Sequence, residues 1–158
     1  MAFENIFRSY PIDTGMRLSE AAGLTIEDIC LEHDVPHINL KPHSWRRLKT
    51  QQSERQIPLV GAALWAAQRI TAETDGHWCF QRYTIAESCN ANSASAALNK
   101  WLKAKFDREA VIHGFRHAFR DRLRAVNCPT EMIDQLGGWS AQNVGGRYGA
   151  GFSLEHKK

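Results

Sequence analysis

The chain has 158 residues and a formal net charge of +3, and 43% of its residues are hydrophobic and 23% charged. These values are ordinary for one soluble globular domain with a sizeable core. No apolar run is long enough to span a bilayer, and no charged-then-apolar leader marks secretion. We therefore expect a cytoplasmic protein with no membrane partner.

The cysteines show no pattern of a metal site. They form neither a Cys-x-x-Cys pair nor a cysteine–histidine cluster with zinc spacing. We expect buried, reduced thiols, and neither a metal nor another cofactor. The four cysteines are Cys30, Cys79, Cys89 and Cys128.

The segment from Thr14 to Gly23 predicts a short helix that ends at the glycine. Arg17 and Glu20 are three positions apart, so the carboxylate can hold the guanidinium in place. An isolated pair of this kind is usually a surface salt bridge. The segment by itself does not decide between such a salt bridge and a guanidinium held in place for a functional role.

Three β-prone pieces follow and predict a small antiparallel sheet. The connection between the second and third pieces is rich in basic residues, which a solvated hairpin would also explain. The pieces are roughly Thr25–Leu31, Pro36–Leu40 and Arg55–Leu59.

Helical periodicity predicts four further helices in the second part of the chain. The fold class is therefore α+β, mainly α-helical, with one small three-stranded antiparallel sheet. The predicted helices are Gly61–Ala72, one capped by Asn92 or Ser93, one starting at His113, and one starting near Pro129 and ending at Gly137-Gly138.

Positive charge is concentrated around the helix that starts at His113. Residues 100–124 hold eight basic and three acidic residues, a local balance of 8 − 3 = +5. A solvated helix face and a surface for a polyanion both fit this pattern.

Two stripes run along this helix at a spacing of four residues. The apolar stripe predicts a buried face. The arginine stripe suits phosphate, because the guanidinium fork matches two phosphate oxygens and keeps its charge. The stripes are Phe115, Phe119 and Leu123, and Arg116, Arg120 and Arg124.

The segment from His113 to Tyr148 resembles the second conserved box of the tyrosine recombinases, the phage-integrase family. That box reads His-x-x-Arg-His, an apolar helix, Leu-Gly-His/Trp and a nucleophilic tyrosine about nine residues on. Its counterparts here are His113-Gly-Phe-Arg116-His117, then Gly138-Trp139, then Tyr148. Several motifs in a fixed order are more specific than one short motif.

Two earlier segments resemble the same family. Thr-Gly-Met-Arg17-Leu-Ser-Glu20, followed by Leu-Thr-x-x-Asp-Ile, is similar to the first box. Lys49-Thr, followed by Ser-x-Arg55-x-Ile-Pro-Leu, is similar to the hairpin that carries the catalytic lysine. Lys41 is a weaker match, because it lacks the following threonine and the downstream arginine.

The resemblance implies metal-free cleavage and rejoining of a DNA strand. Tyr148 would attack phosphorus and form a 3′-phosphotyrosine. Arg17 and Arg116 would bind the non-bridging oxygens and offset charge in the transition state. Lys49 would protonate the departing 5′-oxygen.

The resemblance also implies supporting roles around the phosphate. His113 would assist proton transfer or hydrogen-bond the phosphate, and Trp139 would donate its indole N–H beside it. Glu20 and His117 would hold the arginines in place without touching the phosphate themselves. Further DNA contacts are expected from Arg46, Arg47, Arg55, Arg120 and Arg124.

As partners, the family implies double-stranded DNA at attachment sites and a tetramer on two duplexes, with a monomer possible for an isolated domain. Its members are bacterial or phage-encoded and associated with the nucleoid. We expect one catalytic domain over residues 1–158, with a shortened start and no N-terminal DNA-binding domain. Two functions stay open: a site-specific recombinase, and a truncated, catalytically inert remnant that only binds DNA.

Overall fold

The computed structural model describes residues 12–85, 88–106, 110–139 and 151–158, so Tyr148 lies outside the described residues. The helices there are α1 (Leu18–Ala22), α2 (Gly61–Glu73), α3 (Ala91–Lys105), α4 (Gly114–Ala125) and α5 (Thr130–Gly137). The strands are β1 (Ile29–Cys30), β2 (His37–Leu40), β3 (Arg55–Pro58), β4 (Thr84–Ile85) and β5 (Ser88–Cys89).

The predicted three-stranded antiparallel sheet is confirmed, with the order β1-β2-β3. Its first strand is shorter than predicted, because residues 26–28 form a 3-10 turn. The Asp28 carboxylate accepts a hydrogen bond from the backbone N–H of Thr25 at 2.9 Å. This local bond caps the turn and competes with strand pairing. The pair β4–β5 forms a second, two-stranded sheet that was not predicted.

The four predicted helices are present, and one begins earlier than expected. The side chain of Asn90 accepts a hydrogen bond from the backbone N–H of Ser93 at 2.9 Å. Asn90 is therefore the N-cap of α3, and the prediction of Asn92 or Ser93 was wrong.

The core joins the sheet to α1, α2 and α3. Buried Ile38 and Ile57 lie opposite each other on β2 and β3. Ala21 and Ala22 are fully buried and fix α1, which packs against α3. Because α5 contacts both α4 and β3, the starts of α1 and α4 and the end of α5 converge at one side of the sheet.

The structure has four free thiols, and of these only Cys79 is buried. The other three are half-buried, so the expectation of buried thiols holds for one cysteine. Burial raises the pKa of the Cys79 thiol well above its ordinary value. Within the described residues, no helix is long and apolar enough to cross a membrane.

Arg46 is a structural residue, and the DNA contact expected of it stays a prediction. Its side chain is buried, with Nη1 2.7 Å from Asp28 Oδ2. The guanidinium also donates to the carbonyl oxygens of Gly23 and Lys41, at 2.9 and 2.8 Å. Arg46 thereby ties the start of the β2–β3 connection to the end of α1.

The Asp28 carboxylate stays ionised in this pair. Burial by itself would raise the pKa of Asp28, but hydrogen bonds from Arg46 and the Thr25 amide outweigh it and hold the pKa below its ordinary value. Burying a guanidinium or a carboxylate alone carries a large desolvation cost, and here the attraction between the two charges offsets that cost.

We expect Asp28→Asn to lower the free energy of unfolding by about 3–5 kcal/mol, because it leaves the Arg46 charge buried without its partner. Urea denaturation measures this. The control is Arg47→Ala at the exposed neighbouring position, which should stay within about 0.5 kcal/mol of wild type.

The contribution of the Asp28–Arg46 pair to the free energy of unfolding should decrease as the pH falls. A carboxyl whose pKa is lower in the folded than in the unfolded state stabilises the fold at pH values above its unfolded-state pKa. That contribution is lost as the pH falls through its folded-state pKa. Wild type should therefore lose stability below about pH 4 more steeply than Asp28→Asn. Equal unfolding free energies for the two proteins at neutral pH would contradict the role of this pair.

Candidate active site

Arg17 stands at the start of α1 and is held from two sides. Its Nη1 donates to Glu20 Oε1 and to Ser53 Oγ, both at 2.8 Å. Its backbone N–H donates to Glu20 Oε2 at 2.9 Å, so the same carboxylate caps the helix. The predicted pairing of Arg17 with Glu20 is confirmed. Ser53 was missed, although it is the serine of the Ser-x-Arg-x-Ile-Pro-Leu motif.

Arg55 completes the cluster from β3, and the DNA contact expected of it stays a prediction. Its side chain points inward on the sheet, and Nη2 lies 3.0 Å from Glu20 Oε2. Its Nε donates to the carbonyl oxygen of Leu136 at 2.8 Å, and Nη1 donates to that of Ser53 at 2.6 Å. All three guanidinium nitrogens are therefore used inside the protein, where they join α1, β3 and α5.

Glu20 is buried and remains charged between these arginines. Burial by itself would raise the pKa of Glu20, but Arg55 and then Arg17 outweigh it and hold the pKa below its ordinary value. The ionised carboxylate thereby fixes two guanidinium groups before any ligand is present.

Arg116 lies on α4 with only 4% of its surface exposed. Its Nη1 donates to the carbonyl oxygen of Gly15. Gly15 has a φ of +61°, and a Cβ there would lie 2.4 Å from the Phe119 ring, so only glycine fits. Burial, together with Arg17 and other charges, lowers the pKa of Arg116 to about 10, which leaves it charged at neutral pH.

One donor of Arg116 has no hydrogen-bond partner among the residues that the structure describes. Its Nη2 is buried and makes no hydrogen bond within the described part of the chain. A buried charged donor left unpaired is expensive, and native proteins keep few of them. This nitrogen therefore marks a place where an acceptor from outside the chain would be stabilised.

Trp139 follows the left-handed C-cap of α5 and covers the arginines. The centre of its ring system lies 4.2 Å from the Arg116 guanidinium carbon. The preceding residue, Gly138, has a φ of +63°, and its carbonyl oxygen lies 3.5 Å from Arg17 Nη2. A Cβ at Gly138 would lie 2.7 Å from Arg55 Nη1, so this approach also requires glycine.

His113 is the N-cap residue of α4 and is exposed. Burial, with smaller effects from His117, Arg116 and Arg17, lowers the pKa of His113 below its ordinary value. The neutral imidazole is therefore the main form at neutral pH. His117, predicted to support the arginines, is exposed and packs edge-on against His113 with ring centres 5.0 Å apart.

Lys49 lies exposed on the connection between β2 and β3. The next residue, Thr50, shares a hydrogen bond of 3.1 Å between its hydroxyl and that of Ser53. Because Ser53 Oγ also accepts from Arg17, the segment with the lysine is tied to the arginine cluster.

The remaining predicted DNA contacts have different surroundings. Arg47 is exposed, and Arg124 is exposed with Nη1 3.5 Å from Asp121 on its own helix. Both stay predictions. Arg120 is half-buried and lies 3.3 Å from Asp134, an acidic residue on α5 that the sequence argument missed.

These side chains give the candidate site an excess of positive charge. Four guanidinium groups and two carboxylates give it a net charge of +2, with a neutral imidazole at its edge. The groups are Arg17, Arg55, Arg116, Arg120, Glu20 and Asp134. A cavity of about 290 Å³ opens beside Arg17, His113 and Arg116. Among the described residues, no group of histidine, cysteine and acidic side chains could hold a metal ion.

Comparisons with known proteins give one family and one group of solved structures. A model of the phage integrase family matches residues 8–152. The structure of the Tn1549 transposon integrase in complex with circular intermediate DNA is 20% identical, with a TM-score of 0.61 over 95% of this chain and 56% of that chain. The same integrase in complex with transposon right end DNA is 20% identical, with a TM-score of 0.63 over 89% of this chain and 51% of that chain.

This likeness shows that the fold is that of an integrase catalytic domain, mostly helical with a small three-stranded sheet. The chain spans about half the length of the integrase chains that it matches. No curated protein matches it.

Proposed function

Because the chain belongs to the phage integrase family, we propose that it cuts and rejoins DNA strands through a covalent bond between Tyr148 and a 3′-phosphate. The observation that carries this proposal is the buried Nη2 of Arg116 beside Arg17, which has no partner in the described part of the chain. A non-bridging phosphate oxygen is the acceptor that such a donor lacks.

The arginines would act on the charge that builds at phosphorus. The transition state of attack is more negative than the ground state, so donors already fixed in place stabilise it without reorganisation. Glu20 and Gly15 provide that fixation for Arg17 and Arg116. The net charge of +2 in the site would also favour the phenolate of Tyr148, whose ordinary pKa is about 10.

Two groups would handle protons. Lys49 would protonate the leaving 5′-oxygen, and the tie through Thr50 and Ser53 keeps its segment next to Arg17. His113, neutral at working pH, would accept the proton from the Tyr148 hydroxyl. The phosphotyrosine bond would keep the energy of the broken phosphodiester, so rejoining would need no nucleotide cofactor.

The proposed partner is double-stranded DNA, consistent with the basic residues of α4 and of the β2–β3 connection. Strand exchange between two duplexes needs one active subunit at each of four cleavage positions. A tetramer on DNA would therefore be the assembled form.

We expect a covalent adduct between the protein and nicked DNA in the presence of EDTA. Because the DNA site is unknown, the substrate is a pool of nicked duplexes of random sequence, whose short 5′-hydroxyl fragment dissociates after cleavage. Adducts are retained with the protein under denaturing conditions, and the attached DNA is sequenced.

The control for this assay is Tyr148→Phe, which removes only the attacking hydroxyl. It should bind DNA with wild-type affinity and form no adduct. Arg116→Lys should lower the adduct yield about 100-fold or more, because lysine cannot reproduce the guanidinium fork. DNA binding by wild type without adduct on any sequence would favour a protein that only binds DNA.

His113 should set the acid limb of the pH–rate profile. Because its pKa lies below the ordinary histidine value of 6.5, the neutral base persists at pH values where an ordinary histidine is charged. We expect the midpoint of the acid limb in the rate of adduct formation to lie below pH 6.5. His113→Gln should remove this limb, and a wild-type limb with its midpoint above pH 6.5 would contradict the assignment.

A further inference from the structure

Trp139 packs against two arginines of α4, Arg116 and Arg120. The guanidinium carbons of Arg116 and Arg120 lie 4.2 and 4.9 Å from the centre of its ring system. The two arginines are four residues apart on α4, so they share one face of the helix. The indole lies over both guanidinium groups, so a change at Arg120 alters the packing of the same ring that contacts Arg116.

Asp134 contacts both Arg120 and Trp139. Its side-chain Oδ1 lies 3.3 Å from Arg120 Nη2, and its backbone carbonyl oxygen accepts the backbone N–H of Trp139 at 2.9 Å. Asp134 is 8% exposed, so its charge is largely removed from water. The backbone carbonyl of Asp134 thus fixes the main chain of Trp139, and its side chain holds Arg120, the second arginine under the indole.

The placement of Arg120 is poor for a residue that only adds stability. Its Nε is buried and has no hydrogen-bond partner in the described ranges, and its contact with Asp134 is long for an ion pair. A partly satisfied guanidinium of this kind costs desolvation. Its best-formed contact is with the face of Trp139, which in turn contacts the guanidinium of Arg116.

We propose that Asp134 and Arg120 are positioning residues, which hold the indole of Trp139 against Arg116 and thereby keep Arg116 Nη2 aimed at the phosphate. The inference rests on the proposed strand-cleaving function. Arg120 would act through Trp139 and would not itself touch DNA. A small displacement of a group that binds the reacting phosphate can cost as much as 100-fold in rate.

The test compares Asp134→Asn and Arg120→Lys in the adduct assay at saturating DNA. Both variants should lower the rate roughly 10- to 100-fold and leave the affinity for DNA unchanged. Glu73→Gln is the matched control, because it breaks a glutamate–arginine pair on α2 outside the site and removes one negative charge, as Asp134→Asn does. It should leave rate and affinity unchanged.

A second readout follows Trp139 without any DNA. In protein labelled with 5-fluorotryptophan, the fluorine resonance of Trp139 is identified by its loss in Trp139→Phe. It should shift in Asp134→Asn and Arg120→Lys and stay in place in Glu73→Gln. This readout reports the position of the ring whether or not the protein cleaves DNA.

Each contrary result has its own meaning. If wild type forms no adduct on any DNA, the proposed function fails. If wild type cleaves DNA while Asp134→Asn cleaves equally fast and its Trp139 resonance is unmoved, the positioning role is wrong. If Arg120→Lys retains the rate and Arg120→Met weakens DNA binding with a salt slope reduced by about one, Arg120 contacts a phosphate directly and the inference is overturned.

Discussion

The contact on which the site depends is the buried carboxylate of Glu20 between Arg17 and Arg55. Desolvating an isolated carboxylate is expensive, and two guanidinium groups offset that cost here. Because Arg55 also binds the Leu136 carbonyl, the same charge joins the start of α1, the strand β3 and the end of α5. The elements that carry the arginines are thus held by electrostatics that would be costly to break.

Beside this fixed cluster, a strong donor has no partner among the described residues. Arg17 and Arg55 are turned toward Glu20, whereas Arg116 is held by Gly15 and Trp139 and makes no hydrogen bond through Nη2 there. Folded proteins accept an unsatisfied buried group mainly where function requires it. Positive charge that is buried, oriented and not fully neutralised is the property that strand transfer at a phosphodiester needs most.

Local patterns predicted much of this fold, and the misses at the site are long-range. The spacing of Arg17 and Glu20 along one helix predicted their pairing, and three β-prone pieces predicted the three-stranded sheet. Arg46 and Arg55 looked like surface cations, because sequence does not reveal that each meets a buried carboxylate 18 or 35 residues earlier. The position of Trp139 against two arginines likewise depends on how α4 and α5 pack, which no local pattern encodes.

The most direct test of the preformed arginine site is a crystal structure of the protein bound to a nicked DNA duplex recovered from the adduct pool, determined with Tyr148→Phe. We expect a non-bridging oxygen of the scissile phosphate to accept hydrogen bonds from Arg116 Nη2 and from Arg17. Glu20 should still lie between Arg17 and Arg55, as in the free chain. A phosphate bound away from Arg116, or an Arg17 released from Glu20 in order to reach it, would contradict a site that is formed before DNA arrives.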